Sequence, residues 1–139
     1  MRIEAVFDTN VLLYALSKAP EDARKSEAAR RLMREVSFGV PLQVLQEFYH
    51  ASRRKARLRI GAEVAETLIT VLLERPLGFM DVDTFRQARA LAVASGIGYW
   101  DAAVVSVSAT MGAPVLYTED LNDGQVYAGV RVANPFAGI

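Results

Sequence analysis

Residues 2–11 read RIEAVFDTNV, and this stretch determines how the rest of the chain is interpreted. Residues 2–7 form a short, largely apolar run that stops at Asp8, a pattern typical of a buried β-strand. Asp8, Thr9 and Asn10 are residue types that cap the N-terminus of a helix, so residues 11–16 are expected to be helical. The sequence thus predicts a strand that turns directly into a helix, with a carboxylate at the turn.

The rest of the chain repeats this alternation of strands and helices. Apolar runs predict further strands at residues 36–40, 77–82, 114–117 and 130–133. Helical spacing predicts helices at residues 23–35, 41–55, 62–73, 83–95 and 100–111, the fourth of them capped by Asp83. Strands that alternate with helices indicate βαβ units and a parallel sheet covered on both faces. Residues 1–139 are therefore expected to form a single α/β domain.

Composition restricts the possible functions. The chain has 139 residues, with 16 Lys and Arg balanced by 16 Asp and Glu, and it has no cysteine. A protein that binds nucleic acid through overall charge would be basic, so any such contact must use a local patch. Disulfides and thiolate metal sites are excluded. With neither a signal peptide nor an apolar stretch long enough to cross a bilayer, the protein is expected to be cytoplasmic with no membrane association.

Four acidic residues stand out by their predicted positions. Asp8 and Asp120 follow predicted strands, and ligands of open α/β sheets bind beyond the carboxyl ends of the strands. Glu47 lies in an apolar helical stripe, where an unpaired carboxylate would be costly. Asp101 begins an apolar helix. Each acid also has an ordinary explanation, because Asp8 can cap a helix, Asp120 can lie in a turn, Asp101 can favour a helix N-terminus and Glu47 can meet an arginine.

Together the four acids indicate a metal site. Carboxylates that lie close together repel one another, and a cation relieves that repulsion. Oxygen ligands without cysteine, in a chain with one histidine, suit Mg²⁺ or Mn²⁺ rather than Zn²⁺.

Several segments that contain these acids resemble a known family. The segments are VFDTNVLLYA (6–15), QVLQEFYHA (43–51), GYWDAAVVSVSA (98–109), VLYTEDLNDGQ (115–125) and RVANPF (131–136). In this order they resemble PIN-domain ribonucleases, and in particular the VapC-like toxins of bacterial type II toxin–antitoxin pairs. The resemblance extends over essentially the whole chain.

The resemblance implies a fold and a reaction. The fold is a small parallel sheet of four or five strands flanked by helices on both faces. The reaction is metal-dependent endonucleolytic hydrolysis of RNA that leaves 5′-phosphate and 3′-hydroxyl ends. The implied partners are a cognate antitoxin protein and a second copy of the chain in a homodimer.

The resemblance also assigns roles to residues. Asp8, Glu47, Asp101 and Asp120 match the family's catalytic, metal-binding acids. Asp8 and Asp101 are expected to bind the metal most directly, while Glu47 and Asp120 hold a second ion or orient the water. Glu119 and Asp123 lie in the same loop as Asp120, and the family pattern favours Asp120. The matched supporting polar positions are Thr9, Asn10 and Thr118.

A basic run lies just beyond the helix that carries Glu47. Arg53, Arg54 and Lys55 are candidate contacts for the RNA phosphates, and Arg57 and Arg59 continue the run. The alternative is a solvated helix end, where cations are favoured. The only histidine, His50, is expected to be an exposed helical residue, so a Ser-His-Asp mechanism is excluded.

Other functions remain possible at this point. A metal-dependent phosphatase would share Asp8 at a strand end, but its usual Asp-x-Asp motif is interrupted by Asn10. A PIN nuclease of RNA processing would need no antitoxin. A noncatalytic RNA-binding module would require exposed aromatic side chains and a basic composition, neither of which is predicted.

Overall fold

A six-stranded sheet runs through the computed structural model, which describes residues 2–139. Numbered along the chain, the strands are β1 (Ala5–Phe7), β2 (Phe38–Pro41), β3 (Leu77–Gly78), β4 (Val115–Tyr117), β5 (Val126–Tyr127) and β6 (Val130–Ala133). Their order across the sheet is β3-β2-β1-β4-β6-β5. All neighbours are parallel except β5, which pairs antiparallel with β6. The predicted α/β fold with a small, mostly parallel sheet is confirmed, and the sheet has one strand more than the four or five expected.

Six α-helices connect and flank these strands. They are α1 (Thr9–Leu16), α2 (Ala23–Glu35), α3 (Leu42–Arg54), α4 (Ala62–Leu73), α5 (Val82–Ser95) and α6 (Tyr99–Thr110), with short 3₁₀ turns at Pro20–Asp22 and Ala56–Leu58. Helix α6 has a long buried segment, since the Ala, Val and Ser side chains from residues 102 to 108 are all buried. None of the helices within residues 2–139 is long and apolar enough to cross a membrane.

The strand order creates a crevice beside β1. The chain proceeds from β1 to β2 to β3 on one side of the sheet, and then returns to form β4 on the other side of β1. Because parallel crossovers are right-handed, this reversal sends the helices before and after β3 to opposite faces. Helices α1 to α4 pack against one another, and α5 packs on α6. The carboxyl ends of β1 and β4 lie at the point of reversal, where such sheets bind ligands.

The predicted strand at residues 77–82 is too long. Only Leu77–Gly78 pairs with β2, and α5 begins at Val82. Asp81, and not Asp83 as predicted, is the N-cap, since its Oδ1 accepts a hydrogen bond from the backbone N–H of Thr84 at 2.8 Å. The apolar residues at positions 79 and 80 led to the longer predicted strand, but both side chains are exposed.

Strand β5 is not predicted from the sequence. It forms a hairpin with β6 through Ala128 and Gly129, whose φ angles are +51° and +79°. Two successive positive φ angles are the signature of a type I′ turn, which normally uses Asn-Gly or Gly-Gly. Alanine rarely adopts such a φ, so the sequence carried no hairpin signal at this position.

Candidate metal centre

Asp8 lies where β1 ends and α1 begins, as predicted. Its backbone is extended, and its Oδ1 accepts a hydrogen bond from the backbone N–H of Thr9 at 2.8 Å. The other oxygen, Oδ2, accepts from the hydroxyl of Thr118 at 2.8 Å. The residue is only 9 % exposed. Asp8 is therefore the helix cap of α1, and these two bonds fix the direction of its carboxylate.

Three carboxylates converge at this end of the sheet. One oxygen each from Asp8, Asp101 and Asp120 lies within 4.8 Å of the other two. Asp8 follows β1, Asp101 lies in the first turn of α6, and Asp120 follows β4. The sequence placed these acids at two strand ends and one helix start. The fold brings all three to the crevice between β1 and β4.

The protein environment opposes ionisation of this cluster. Burial raises the pKa of Asp8 from 3.8 to about 6, even though its bonds from Thr118 and Thr9 favour the charged form. Burial, followed by the negative charges of Asp120 and Glu47, raises the pKa of Asp101. The pKa of Asp120 is also raised, by burial and by the charge of Glu119. Clustered acids with raised pKa values favour binding of a cation, because the cation would stabilise their charged forms.

Glu47 lies beside this cluster rather than within it. Its carboxylate is exposed on α3, so the predicted cost of burying it does not apply. Its Oε2 accepts a hydrogen bond from the hydroxyl of Thr9 at 2.9 Å, and its Oε1 accepts from Nε2 of Gln43 at 3.3 Å. It lines the same cavity as the three aspartates. Thr9 therefore links Asp8 to Glu47, through its N–H and its hydroxyl respectively.

The loop after β4 offers three acids, and only Asp120 joins the cluster. Glu119 points to α1 and α2, where it pairs with Nζ of Lys25 at 3.1 Å and accepts from the Tyr14 hydroxyl at 3.1 Å. Asp123 accepts from the backbone N–H of Asn134 at 2.9 Å. Sequence alone left these alternatives open, and the geometry separates them because each of the other two acids has a partner elsewhere.

The predicted supporting residues contact the acids directly. The hydroxyl of Thr118 donates to Asp8 and accepts from the backbone N–H of Asp120 at 3.1 Å, so it joins two members of the cluster. Nδ2 of Asn10 lies 3.5 Å from Oδ2 of Asp120. Together with Thr9, these contacts orient the carboxylates without contributing further negative charge.

The basic run does not act as one patch. Lys55 lines the cavity, and its charge lowers the pKa of Asp120 in opposition to the larger effects that raise it. Arg53 instead pairs with Glu66 of α4 at 2.7 Å, and Arg57 pairs with the buried Asp22 at 3.0 Å. Nη1 of Arg54 lies 3.3 Å from Nε2 of His50. Lys55 is thus the one candidate of the three that lines the cavity.

Trp100 and His50 line the cavity although the sequence prediction gave neither of them a role in the site. The cavity has a volume of about 270 Å³, and it is lined by Trp100 and His50 in addition to the acids. Trp100 is 69 % exposed, and this corrects the expectation that the chain lacks exposed aromatic side chains. The sequence signal was its position directly before Asp101, which places it at the start of the same helix.

The donor set fits a hard divalent cation. All the converging donors are carboxylate oxygens, and Asp8 is held in place by two hydrogen bonds. Mg²⁺ and Mn²⁺ prefer such oxygen ligands and keep several waters, which an open cavity allows. Asp8, Asp101 and Asp120 are therefore the residues of this chain that suit the ion.

Comparison with known families agrees with this geometry. A model of the PIN domain matches residues 5–127, which include all four acids. The chain belongs to the PIN-domain family. Comparison with curated protein sequences finds no significant match.

Solved structures share this PIN fold over nearly the whole chain. A toxin–antitoxin complex from Klebsiella pneumoniae is 16% identical, with 96% of this chain and 98% of that chain covered and a TM-score of 0.68. VapC20 of Mycobacterium tuberculosis, described as a toxin that cleaves the sarcin-ricin loop, is 21% identical, with 92% and 99% covered and a TM-score of 0.67. DNA-bound VapBC from Salmonella typhimurium is 16% identical, with 96% and 98% covered and a TM-score of 0.63.

Proposed function

We propose that this PIN domain is a Mg²⁺- or Mn²⁺-dependent endoribonuclease and the toxin of a toxin–antitoxin pair. The observation that carries the proposal is the convergence of Asp8, Asp101 and Asp120 in an open cavity at the carboxyl end of the sheet. The toxin role is supported by the likeness in fold to VapC20 and to two toxin–antitoxin complexes.

Each residue has a distinct part in the proposed reaction. Asp8, Asp101 and Asp120 hold the divalent ion, which supplies a water of lowered pKa and neutralises charge on the phosphate when bound. Thr118 and Thr9 keep Asp8 aimed at the ion. Glu47, which Thr9 holds at the cavity wall, orients the attacking water or binds a second ion. Lys55, which directly follows α3 and lines the cavity, contacts a phosphate of the RNA.

The nuclease proposal is tested with labelled single-stranded RNA. The wild type should release fragments with Mg²⁺ or Mn²⁺ and none with EDTA. Asp8→Asn and Asp101→Asn should each lower cleavage by at least a hundredfold while the circular dichroism spectrum is unchanged, because both substitutions keep shape and remove charge. The matched control is Asp83→Asn, since Asp83 is exposed on α5 and pairs only with Arg86. Full activity in either site variant would refute the assignment.

The toxin proposal needs a separate test in cells. Expression of the wild-type chain should arrest growth, and expression of Asp8→Asn at the same level should not. Co-expression of the small protein encoded next to the gene should restore growth. We propose that this antitoxin presents an Arg or Lys to the acidic cluster, because a bidentate arginine contact can replace a cation. Active nuclease without growth arrest would favour a role in RNA processing.

The remaining parts of the proposal concern assembly and location. We propose a homodimer that acts in the cytoplasm, where its RNA substrate and its antitoxin partner would meet it. Light scattering across a concentration series tests the dimer, and fractionation of cells that express the chain tests the location.

Two other activities are distinguished by the same reagents. A phosphatase would release phosphate from p-nitrophenyl phosphate, but position 10 carries an amide that contacts Asp120 rather than a second acid. A noncatalytic RNA-binding protein would retain RNA in Mg²⁺ without producing fragments.

A further inference from the structure

Trp100 is a large aromatic side chain that the fold leaves uncovered next to the acidic cluster. It lies in the first turn of α6, immediately before Asp101, and it is 69 % exposed. Exposed aromatics elsewhere, such as Phe79 at 59 %, do not line the cavity that holds the acids. The exposed side chain of Trp100 is therefore part of the candidate site.

The indole of Trp100 is supported by an aromatic row. The ring of Tyr99 meets it edge to face with centroids 5.1 Å apart, and Phe85 of α5 meets Tyr99 in the same way at 5.9 Å. These contacts restrict the side chain and still leave most of its surface open. An aromatic ring that is held in place and uncovered is well suited to bind a flat partner by stacking.

The cavity wall contains a matching set of other groups. Asp8, Asp101 and Asp120 suit a divalent cation, and Lys55 supplies a positive charge at the C-terminal end of α3. These groups match three parts of a nucleic acid. The cation site suits the scissile phosphate, the ammonium group of Lys55 suits a neighbouring phosphate, and the aromatic face of Trp100 suits a base. Base stacking on aromatic side chains is how proteins commonly bind unpaired nucleotides.

We propose that Trp100 is a stacking platform that positions an unpaired base beside the scissile phosphate. This inference rests on the proposed nuclease function and adds a substrate-positioning residue to it. A base within a duplex is already stacked on its neighbours and does not offer its face to the indole.

Kinetics test the role of Trp100 with matched variants. Trp100→Ala and Trp100→Leu should lower kcat/KM on a single-stranded oligoribonucleotide by roughly five- to hundredfold, mainly through KM, because both lack the aromatic face. Trp100→Phe should keep most of the activity. Phe79→Ala is the control, as it removes an exposed aromatic outside the cavity. Wild type should cleave the single strand at least tenfold faster than the same strand in a duplex. Unchanged KM in both non-aromatic variants would overturn the proposal.

Fluorescence gives a second readout that does not depend on catalysis. Trp100 is the only tryptophan of the chain, so its emission reports this position alone. In Mg²⁺, adenosine 5′-monophosphate should quench the emission, and ribose 5-phosphate, which lacks a base, should not. Equal effects of the two probes, or none, would overturn the proposal. If no RNA were cleaved, the nuclease function would fail while this titration still tested stacking. An emission shift that followed protein concentration and dimer formation would instead assign Trp100 to a subunit contact.

Discussion

The hydroxyl of Thr118, which follows β4, donates a 2.8 Å hydrogen bond to Oδ2 of Asp8, which follows β1. This bond joins the two strand ends that border the crevice, and Thr118 is only 1 % exposed. It also favours the charged form of Asp8 against the effect of burial. The orientation of the Asp8 carboxylate therefore involves a threonine that carries no charge and is far from Asp8 in sequence.

Removal of this hydroxyl should weaken metal binding. Thr118→Val keeps the shape of the side chain but leaves the Asp8 oxygen without its donor, and a hydrogen bond to a charged group contributes about 1.5–3 kcal/mol. Mn²⁺ affinity, measured by calorimetry at pH 7, should fall by roughly ten- to hundredfold. Thr118→Ser should restore it. The control is Thr67→Val in α4, whose hydroxyl bonds only to a backbone carbonyl. Equal affinity in both valine variants would contradict this role.

Neutralisation of one acid should stabilise the metal-free protein. Burial, followed by the charges of Asp120 and Glu47, raises the pKa of Asp101. Asp101→Asn removes both the cost of burying this charge and the repulsion, so it should melt at or above the wild-type temperature in EDTA. Most point mutations have the opposite effect. A hundredfold excess of Mn²⁺ over its dissociation constant should stabilise the wild type by about 2.7 kcal/mol and the variant much less. A large destabilisation in EDTA with equal metal shifts would instead make Asp101 a structural residue.

Acid should stabilise the folded protein through Asp8. Its pKa is raised from 3.8 to about 6, so the folded state binds a proton that the unfolded state lacks between these values. The ionised Asp8 therefore lowers the free energy of unfolding by about 3 kcal/mol at pH 7, and this loss diminishes as the pH falls through 6 towards 4. In EDTA, Asp8→Asn should therefore exceed the wild type in free energy of unfolding at pH 7, and this advantage should shrink by pH 4.5. Urea titrations at the two pH values measure it, and an advantage independent of pH would contradict the burial effect.

Metal binding should show the corresponding pH dependence. Below about pH 6, a proton on Asp8 competes with the ion, so apparent Mn²⁺ affinity should fall about tenfold per pH unit. Calorimetry from pH 5 to 7.5 measures this slope. The Asp83→Asn control should follow the wild-type curve, and a flat profile would show that Asp8 does not bind the ion.

Gly78 of β3 has no room for a side chain. A Cβ there would lie 2.8 Å from both Cγ of Met111 and Cγ1 of Val107, where α6 and its C-terminus pack on the sheet. Gly78→Ala should therefore destabilise the protein by about 1–3 kcal/mol through overpacking. Gly61→Ala is the matched control, because nothing lies within 4 Å of the added carbon and its φ is negative. The double variant with Met111→Ala should recover part of the loss. Urea denaturation of the three variants checks the prediction, which fails if both single variants unfold alike.

The sequence by itself determined the elements whose signals are local. The β1–α1 transition was predictable because an apolar run ends at a capping residue, Asp8. Helices α2 and α4 were predicted with their observed bounds, Ala23–Glu35 and Ala62–Leu73, because their ends carry clear local signals. The parallel α/β fold followed from the alternation of these elements. The four acids stood out by their positions at strand ends and on helices, and the resemblance to PIN domains matched the same residues. The strand at residues 77–82 was predicted too long because its pairing with β2 depends on a strand that is distant in sequence. Strand β5 was missed because Ala128 and Gly129 do not form a usual turn signal.

Only the tertiary structure decided how the site residues are used. Asp120 rather than Glu119 joins the cluster because Lys25, on α2, holds Glu119 away from it. Glu47 lies beside the cluster because the hydroxyl of Thr9, on α1, donates a hydrogen bond to its carboxylate on α3. Lys55 enters the cavity while Arg53 is held by Glu66. A carboxylate or a cation is directed by the nearest partner in space. Residues that are neighbours in sequence therefore contact different partners. The sequence of a loop or of a helix end does not show which of its charged side chains faces the cavity.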